Sequence, residues 1–414
     1  VVQVSAQVRD AIPRLAKDDV VDFLGIGGRD SVEAVARYTA AIAHFFAGDI
    51  ERAATELEDT RTLPGMTYPL WHVYVLSSLA LVRAWQGRCT EALGLARSSI
   101  DEAESFGVGA HHASVHAHLA LAWVHLDRME LDAAERDLGE ARRRLHGREA
   151  STTYFDLLAA AEARLAAVTQ GPLEALALLD SPSLSSSEAV VLREVRRALR
   201  VRLLLGAGDV AGARGVLAAV PGGSSSGDRG CPLLAAVRVD RALAAGDLVS
   251  ARRALEDWHP PQEDLGALVR RMLREFSVLC AEGDHRGAEA ALTWAVGVAL
   301  GERLRWPFVE VPDALRGLRR GVVKGSWLAD DRLWEMALRL EPRLRARETL
   351  VDPLTERELE VLAYLPGRMR NQDIAADMFL TVNTVKTHLA GIYRKLGVTQ
   401  RNEAVSRAQD MGLL

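Results

Sequence analysis

A short basic segment near the C-terminal end of the 414-residue chain carries side chains suited to nucleic-acid recognition. Residues 381–398 read TVNTVKTHLAGIYRKLGV and include no acidic residue, although the whole chain has a net charge of −5. Lysine and arginine bind phosphate oxygens, whereas asparagine and threonine can hydrogen-bond to base edges. Any affinity for nucleic acid must therefore come from this local patch and not from the global field. The alternative is a solvated basic face on an ordinary helix.

Apolar residues recur every three or four positions in this segment, which predicts a helix with one buried stripe. The stripe consists of Val382, Val385, Leu389, Ile392 and Leu396. Thr381 is expected to cap the start of the helix, and Gly397 is expected to end it. The polar and cationic side chains then lie on the other faces of the helix.

Three further short helices are predicted around this one. The stretch LTERELEVLAYL begins with a capping box, in which Thr355 and Glu358 satisfy each other's free amides. The break at PGRM precedes a second helix over 371–379, and a fourth helix is predicted over 401–411. A short helix, a turn and a helix with outward cationic residues form a helix-turn-helix, whose second helix enters the major groove.

The rest of the chain is predicted to be a helical repeat. An apolar helix, a Gly turn and an Ala-rich helix recur every 37 to 43 residues over 1–340, with a weaker copy at Arg128. The turn glycines are Gly48, Gly87, Gly171, Gly208, Gly246 and Gly283. Such hairpins cannot each bury an apolar face alone. We therefore predict an all-α chain in which a tetratricopeptide-like α-solenoid precedes the four-helix unit.

The predicted domain boundaries follow from composition. The helical array covers 1–340, a charged stretch with Pro near both ends forms a linker over 341–352, and the four-helix unit covers 353–414. Ser-, Gly- and Pro-rich loops at 181–188 and 221–232 are predicted to be mobile.

Composition also excludes several classes of protein. Cys89, Cys231 and Cys280 lie far apart, which argues against a Cys-based zinc motif or a disulfide framework and suits a cytoplasmic protein. No run of about 18 uninterrupted apolar residues exists, so no membrane partner is predicted. The motifs H-E-x-x-H and G-x-S-x-G are absent, so we predict neither an enzyme nor a cofactor.

The histidine-rich stretch HHASVHAH is a candidate metal site. It places His111, His112, His116 and His118 close together, with His125 further along. No carboxylate or cysteine completes a ligand set within the stretch. Polar faces at the contacts between hairpins are the favoured interpretation, and we predict no metal.

The C-terminal unit resembles a known family. The pattern LTERELEVLAYL…NQDIAADMFLTVNTVKTHLAGIYRKLGV…R…AV…A…GL is similar to the LuxR-type C-terminal DNA-binding domain and covers essentially all of 353–414. The resemblance implies four helices, of which the third reads the major groove. It also implies that the fourth helix pairs two copies over an inverted repeat, which makes double-stranded DNA and a homodimer the expected partners.

The resemblance assigns roles to individual residues. Lys386, Thr387 and Ala390 occupy positions that face base edges. Positions near base edges or phosphates are held by Asn383, Thr384, Arg394 and Lys395. His388 and Arg401 complete the predicted DNA-binding set, and a structural role is the alternative for His388.

The sequence departs from the family pattern at a few positions. Arg370 stands where the family usually has Ser or Thr as a helix cap, so Asn371 is expected to cap instead. Ala390 limits base readout there to apolar contact, such as with a thymine methyl group. Gly391 costs up to about 1 kcal/mol of helix stability relative to Ala.

The helical array has a looser resemblance. Tetratricopeptide-like helices that end in RLRWPF before a LuxR-type domain are similar to the C-terminal half of MalT-like, or large ATP-binding LuxR, regulators. Those proteins carry an upstream nucleotide-binding module. No G-x-x-x-x-G-K-[ST] occurs here, so nucleotide binding is not predicted for this chain.

Three hypotheses about function follow. The leading one is a sequence-specific regulator that binds promoter DNA, with the array sensing a small-molecule or protein effector and RNA polymerase as a further candidate partner. The second is a helical-repeat interaction scaffold with a degenerate DNA-binding unit. The third, a helical enzyme with an unrecognised site, has no motif in its favour.

Overall fold

The computed structural model describes residues 28–63, 69–145, 152–180, 189–218, 231–319, 328, 331–340, 354–367, 369–378, 380–410 and 413. Over these residues the chain is α-helical, as the sequence predicts. The two loops predicted to be mobile and the predicted linker fall almost wholly outside the described residues.

Within the described ranges, seven helical hairpins follow one another from residue 28 to residue 302. The first four are α1 (Gly28–Ala47) with α2 (Ile50–Arg61), α3 (Pro69–Trp85) with α4 (Cys89–Ser105), α5 (Val115–Asp127) with α6 (Leu131–Leu145), and α7 (Thr152–Thr169) with α8 (Pro172–Leu179). The last three are α9 (Val190–Ala207) with α10 (Val210–Ala218), α11 (Pro232–Ala244) with α12 (Leu248–Glu256), and α13 (Leu265–Glu282) with α14 (His285–Glu302). Assignment of these hairpins to the tetratricopeptide family stays a prediction.

The turn chemistry of the hairpins matches the sequence pattern. All six predicted turn glycines have positive φ, a region that favours glycine because it has no Cβ. In the seventh turn the left-handed residue is Met129, next to the predicted Arg128. Four turns then use an aspartate as the cap of the next helix, namely Asp49, Asp209, Asp247 and Asp284. In these four hairpins a side-chain hydrogen bond thus marks where the second helix begins.

Three short helices close the array: α15 (Trp306–Val309), α16 (Pro312–Arg319) and α17 (Asp331–Leu340). The last hairpin and the segment that follows it contact the second and third hairpins. The Gly266 amide donates to the carbonyl of Gln86 at 3.1 Å, and the Arg305 amide donates to that of Asp127 at 2.8 Å. The backbone approach is close at Gly87, where a Cβ would lie 2.5 Å from the Gly266 nitrogen.

A buried ion network lies behind this closure. Arg164 donates to Asp127 at 2.5 Å, and its guanidinium lies between the rings of Trp123 and Trp306, 4.4 and 4.3 Å from their centroids. Trp306 belongs to the RLRWPF stretch and donates to Glu310 at 2.8 Å. The motif therefore joins the fourth hairpin to the end of the array through charged and aromatic contacts.

The histidine-rich stretch is used in packing. His116 Nδ1 lies 3.0 Å from the Ser78 hydroxyl, His112 Nε2 lies 2.6 Å from the Tyr74 hydroxyl, and His125 Nδ1 lies 2.8 Å from Asp137. Burial lowers the pKa of His116 to about 3 and, together with nearby Arg144, that of His118 to about 4. Both rings are therefore neutral at pH 7. No group of three metal-ligating side chains occurs in the part of the chain that the structure describes.

Among the described residues, none of the helices combines enough length with enough apolar character to span a bilayer.

Candidate nucleic-acid interface

Four helices form the C-terminal unit: α18 (Glu356–Ala363), α19 (Asn371–Asp377), α20 (Val382–Leu396) and α21 (Arg401–Asp410). They enclose an apolar core of their own, distinct from that of the array. The predicted stripe of α20 faces this core, with Val385, Leu389, Ile392 and Leu396 buried. The core also receives Ile374 and Ala375 from α19 and Met378 from its C-cap, the three inward residues that the sequence predicts.

The predicted caps fix the ends of these helices. Thr355 caps α18 in a capping box with Glu358, and Thr381 Oγ1 accepts from the Thr384 amide at 3.2 Å. Gly397 ends α20 with φ +67°. The prediction that Asn371 caps α19 was wrong: Arg370 holds the cap position, and its amide donates to Asp373 at 2.8 Å. An acidic side chain one turn into the helix replaces the usual hydroxyl cap.

Glu358 connects the first helix to the candidate reading helix. Its Oε2 accepts from the Thr355 amide at 2.7 Å, the Thr355 hydroxyl at 2.9 Å and the Lys395 ammonium at 2.8 Å. The Lys395 and Glu358 side chains are only 8% and 9% exposed. Burial alone would raise the pKa of Glu358, but Lys395 and the Thr355 donors lower it, so the carboxylate stays charged. This ion pair fixes α20 against the start of α18.

Gly391 allows this arrangement. A Cβ at position 391 would lie 2.3 Å from Glu358 Oε1, so any larger residue would push the carboxylate out of place. The glycine that weakens helix propensity therefore makes room for the Glu358–Lys395 pair.

Replacing Gly391 with alanine is expected to destabilise the C-terminal unit by about 1–2 kcal/mol. The gain in helix propensity is up to about 1 kcal/mol. It is outweighed because displacing a buried carboxylate with three donors costs about 1–3 kcal/mol for each group left unsatisfied. Hydrogen exchange of amides in α18 and α20, measured on the whole chain, reports the change.

The matched control for that prediction is Gly297→Ala on the exposed side of α14, where a Cβ meets nothing within 4 Å. It should stabilise its helix slightly. Slower exchange in α18 and α20 of Gly391→Ala would contradict the role given to Gly391.

Arg401 also lies inside the unit. Its guanidinium donates to the carbonyls of Tyr364, Leu365, Gly367 and Met369 at 2.9–3.1 Å. It thereby satisfies carbonyls at and after the end of α18 that have no helical partner. For Lys395 and Arg401, contact with a nucleic acid stays a prediction, and it would require these internal bonds to be exchanged.

The outward face of α20 carries five of the predicted residues. Asn383, Lys386, Thr387, Ala390 and Arg394 are exposed. Their spacing of three or four positions places them on one face, opposite the buried stripe. Thr387 donates to the Asn383 carbonyl at 3.0 Å, which leaves its hydroxyl oxygen able to accept a further hydrogen bond.

Thr384, His388 and Lys395 lie instead on the flank of α20 that also carries Gly391. Thr384 and His388 are half-buried, and the Thr384 hydroxyl is 2.8 Å from that of Thr381. The predicted set thus divides into an outward face and a flank that packs towards α18. Sequence reasoning missed this division because it depends on the pairing of Glu358 with a residue 37 positions away.

Comparison with known proteins identifies the unit. Residues 352–408 match the family model described as "Bacterial regulatory proteins, luxR family". The chain is also similar to the response regulator protein VraR of Staphylococcus aureus, Staphylococcus saprophyticus and Staphylococcus epidermidis, with 38% identity over 80 residues in each case. That similarity covers 19% of this chain and 38% of the length of each relative.

These comparisons concern the C-terminal part of the chain. The resemblance of the array to MalT-like regulators stays a prediction. The C-terminal unit is a helix-turn-helix domain of the luxR family of bacterial regulatory proteins.

Proposed function

We propose that the chain is a sequence-specific DNA-binding regulator of transcription. The outward face of α20 carries the proposal: it is polar and cationic, has no carboxylate, and lies opposite the core of a luxR-family domain. Lys386 and Arg394 are suited to phosphate or guanine contacts, and Asn383 is suited to adenine. Thr387 and Ala390 complete the face that meets base edges.

We assign Lys395 and Arg401 to positioning rather than to DNA contact. Each donates to groups within the domain: Lys395 to the Glu358 carboxylate, and Arg401 to backbone carbonyls at and after the end of α18. Thr384 and His388, on the flank, are proposed to fix the approach angle of α20. The proposed contact set is therefore smaller than the one expected from the sequence.

Promoter DNA is the proposed partner, bound by two copies of the chain. One short helix reads few base pairs, whereas two half-sites supply usable specificity. The array is proposed to sense an effector and to shift the chain between states that bind promoter DNA differently. RNA polymerase is a further proposed partner once the chain is on DNA.

The salt dependence of DNA affinity tests this function against the scaffold hypothesis. Two exposed cations per copy, four in a dimer, should give a log–log slope of about −3 to −4, because each phosphate contact releases counterions. Affinity of the whole chain for random-sequence duplex, titrated between low and physiological salt, measures the slope. Weak DNA binding whose affinity hardly changes with salt would favour a scaffold with a degenerate DNA-binding unit.

A further inference from the structure

The outward face of α14, the last helix of the seven hairpins, is apolar. Residues 290–301 contain no charged side chain and a single hydroxyl, that of Thr293. One side of this helix packs on α13 through buried alanine, leucine and valine side chains. The opposite side carries Trp294 and Leu300, which are 42% and 55% exposed. A helix that is apolar on both sides is normally covered on both sides.

Other second helices of the hairpins expose charged residues instead. Arg136 and Arg143 are exposed on α6, and Arg253 is exposed on α12. Val249 on α12 is 73% exposed, but it lies one turn before Arg253, and a single apolar side chain at a surface is ordinary. On α14 the exposed apolar and small residues adjoin one another over about three turns. A continuous face of this kind marks a surface that another protein covers.

The face combines one large side chain with a notch. Ala290, Trp294, Gly297 and Gly301 follow one another at intervals of four, three and four positions, so they form one stripe. A Cβ at Gly297 or Gly301 would meet nothing within 4 Å, and neither glycine has a positive φ. The described part of the chain therefore does not require glycine there, although each costs α14 up to about 1 kcal/mol relative to alanine. Close approach by a second helix would account for both.

We propose that this face of α14, residues 290–301, binds the same face of a second copy of the chain, with the two helices antiparallel. A two-fold interface of this type places identical surfaces against each other. Trp294 of one copy would lie against the notch formed by Gly297 and Gly301 of the partner subunit. The large side chain and the notch on one helix thus complement each other when the helix meets its own copy.

Charges at the two ends of the face favour the antiparallel orientation. Glu289 precedes the apolar run and Arg303 follows it, and both are exposed. They lie fourteen positions apart, about four helical turns, and therefore on the same flank. Antiparallel pairing brings Glu289 of each copy near Arg303 of the other, whereas parallel pairing in register would place like charges together.

Pairing through α14 would hold two helix-turn-helix domains together before they meet DNA. Once one domain binds its half-site, the second is present at a high effective concentration, which strengthens binding to a repeated site. This consequence rests on the proposed function, whereas the pairing of two arrays does not.

Sedimentation equilibrium of the whole chain without DNA tests the inference. The average mass should rise from 45.0 kDa, the mass of one chain, towards twice that value. We expect this rise within a range of about 1 to 100 µM, as suits a pairing of modest affinity.

Gly297→Glu locates the interface. It should weaken pairing at least about ten-fold, because it places two carboxylates near each other across the two-fold axis. Thermal unfolding should be unaffected or slightly improved, since a Cβ at this position meets nothing in the chain itself. Gly94→Glu is the matched control: it adds the same charge on the exposed side of α4, where a Cβ also meets nothing within 4 Å. It should pair as the wild type does.

Reversal of charge tests the orientation. Glu289→Arg and Arg303→Glu should each weaken pairing about five-fold, because each places like charges opposite one another at both ends of the interface. The double variant restores opposite charges and should pair within about two-fold of the wild type. Additive losses in the double variant would contradict antiparallel pairing.

Three results would overturn the inference. The first is the mass of a single chain at every concentration up to about 100 µM. The second is a dimer that Gly297→Glu leaves unchanged, which would place the contact elsewhere, such as in the helix-turn-helix domain. The third is a single-chain mass of the wild type together with a lower unfolding temperature of Gly297→Glu, which would show that another segment of the same chain covers the face.

DNA titrations separate this failure from failure of the proposed function. A chain that binds DNA but does not pair through α14 keeps the regulator and loses the interface. A chain that pairs through α14 but binds no DNA keeps the interface alone.

Discussion

Lys386→Ala is expected to weaken binding to a specific duplex by about thirty-fold. The reason is that a dimer loses two charge-assisted contacts of about 1 kcal/mol each. Lys386 is exposed on the outward face of α20, away from the domain core. The slope of log affinity against log salt should also fall by about 1–2 if the lysines meet phosphates. Fluorescence anisotropy of a labelled duplex at several salt concentrations measures both quantities.

The control for Lys386 removes a cation elsewhere. Arg143, on α6 of the array, is 67% exposed, and Arg143→Ala changes the net charge by the same amount. Its affinity for the duplex should equal that of the wild type. Unchanged affinity of Lys386→Ala, with the domain still folded, would remove Lys386 from the contact set.

Gly87→Ala is expected to destabilise the array by about 3 kcal/mol or more, through two effects. Gly87 has φ +72°, which costs an L-residue about 1–2 kcal/mol. In addition, the new Cβ would lie 2.5 Å from the nitrogen and 2.9 Å from the Cα of Gly266, so the backbones must separate. The bond from the Gly266 amide to the Gln86 carbonyl would then be lost.

Gly246→Ala isolates the first effect, the conformational strain of a positive φ. Gly246 has nearly the same backbone conformation, φ +70°, but a Cβ there meets nothing within 4 Å. It should cost only the conformational strain, about 1–2 kcal/mol. Denaturant unfolding of both variants, followed by near-ultraviolet circular dichroism of the buried tryptophans, gives the difference. Equal destabilisation would mean that the Gly87–Gly266 approach does not hold the array closed.

Local chemistry explains which features were predictable from the sequence. The turn glycines, the aspartate caps and the Thr355–Glu358 capping box each act within a few residues, and the sequence shows them directly. The stripe of α20 follows from helical periodicity alone. The cap of α19 was harder to predict, because position 370 lacks the hydroxyl side chain that the family pattern normally has there. The Asp373 carboxylate accepts from the Arg370 amide instead.

Contacts between distant residues were not predictable. Gly87 meets Gly266 because the array closes, and no spacing rule links two positions in different hairpins. Lys395 is one of several cations on α20, and only the fold shows that it faces Glu358 while Lys386 faces outward. Likewise, Arg164 lies on an apolar helix and shows its role only where Trp123 and Trp306 enclose it.

Selection of bound sequences from random duplex DNA, using the whole chain at low and physiological salt, tests the central proposal most directly. The account predicts recovery of an inverted repeat whose half-sites are separated by about one helical turn. Lys386→Ala carried through the same selection should recover it poorly or not at all. Recovery of no motif by the wild-type chain at either salt would contradict sequence-specific binding and favour the scaffold.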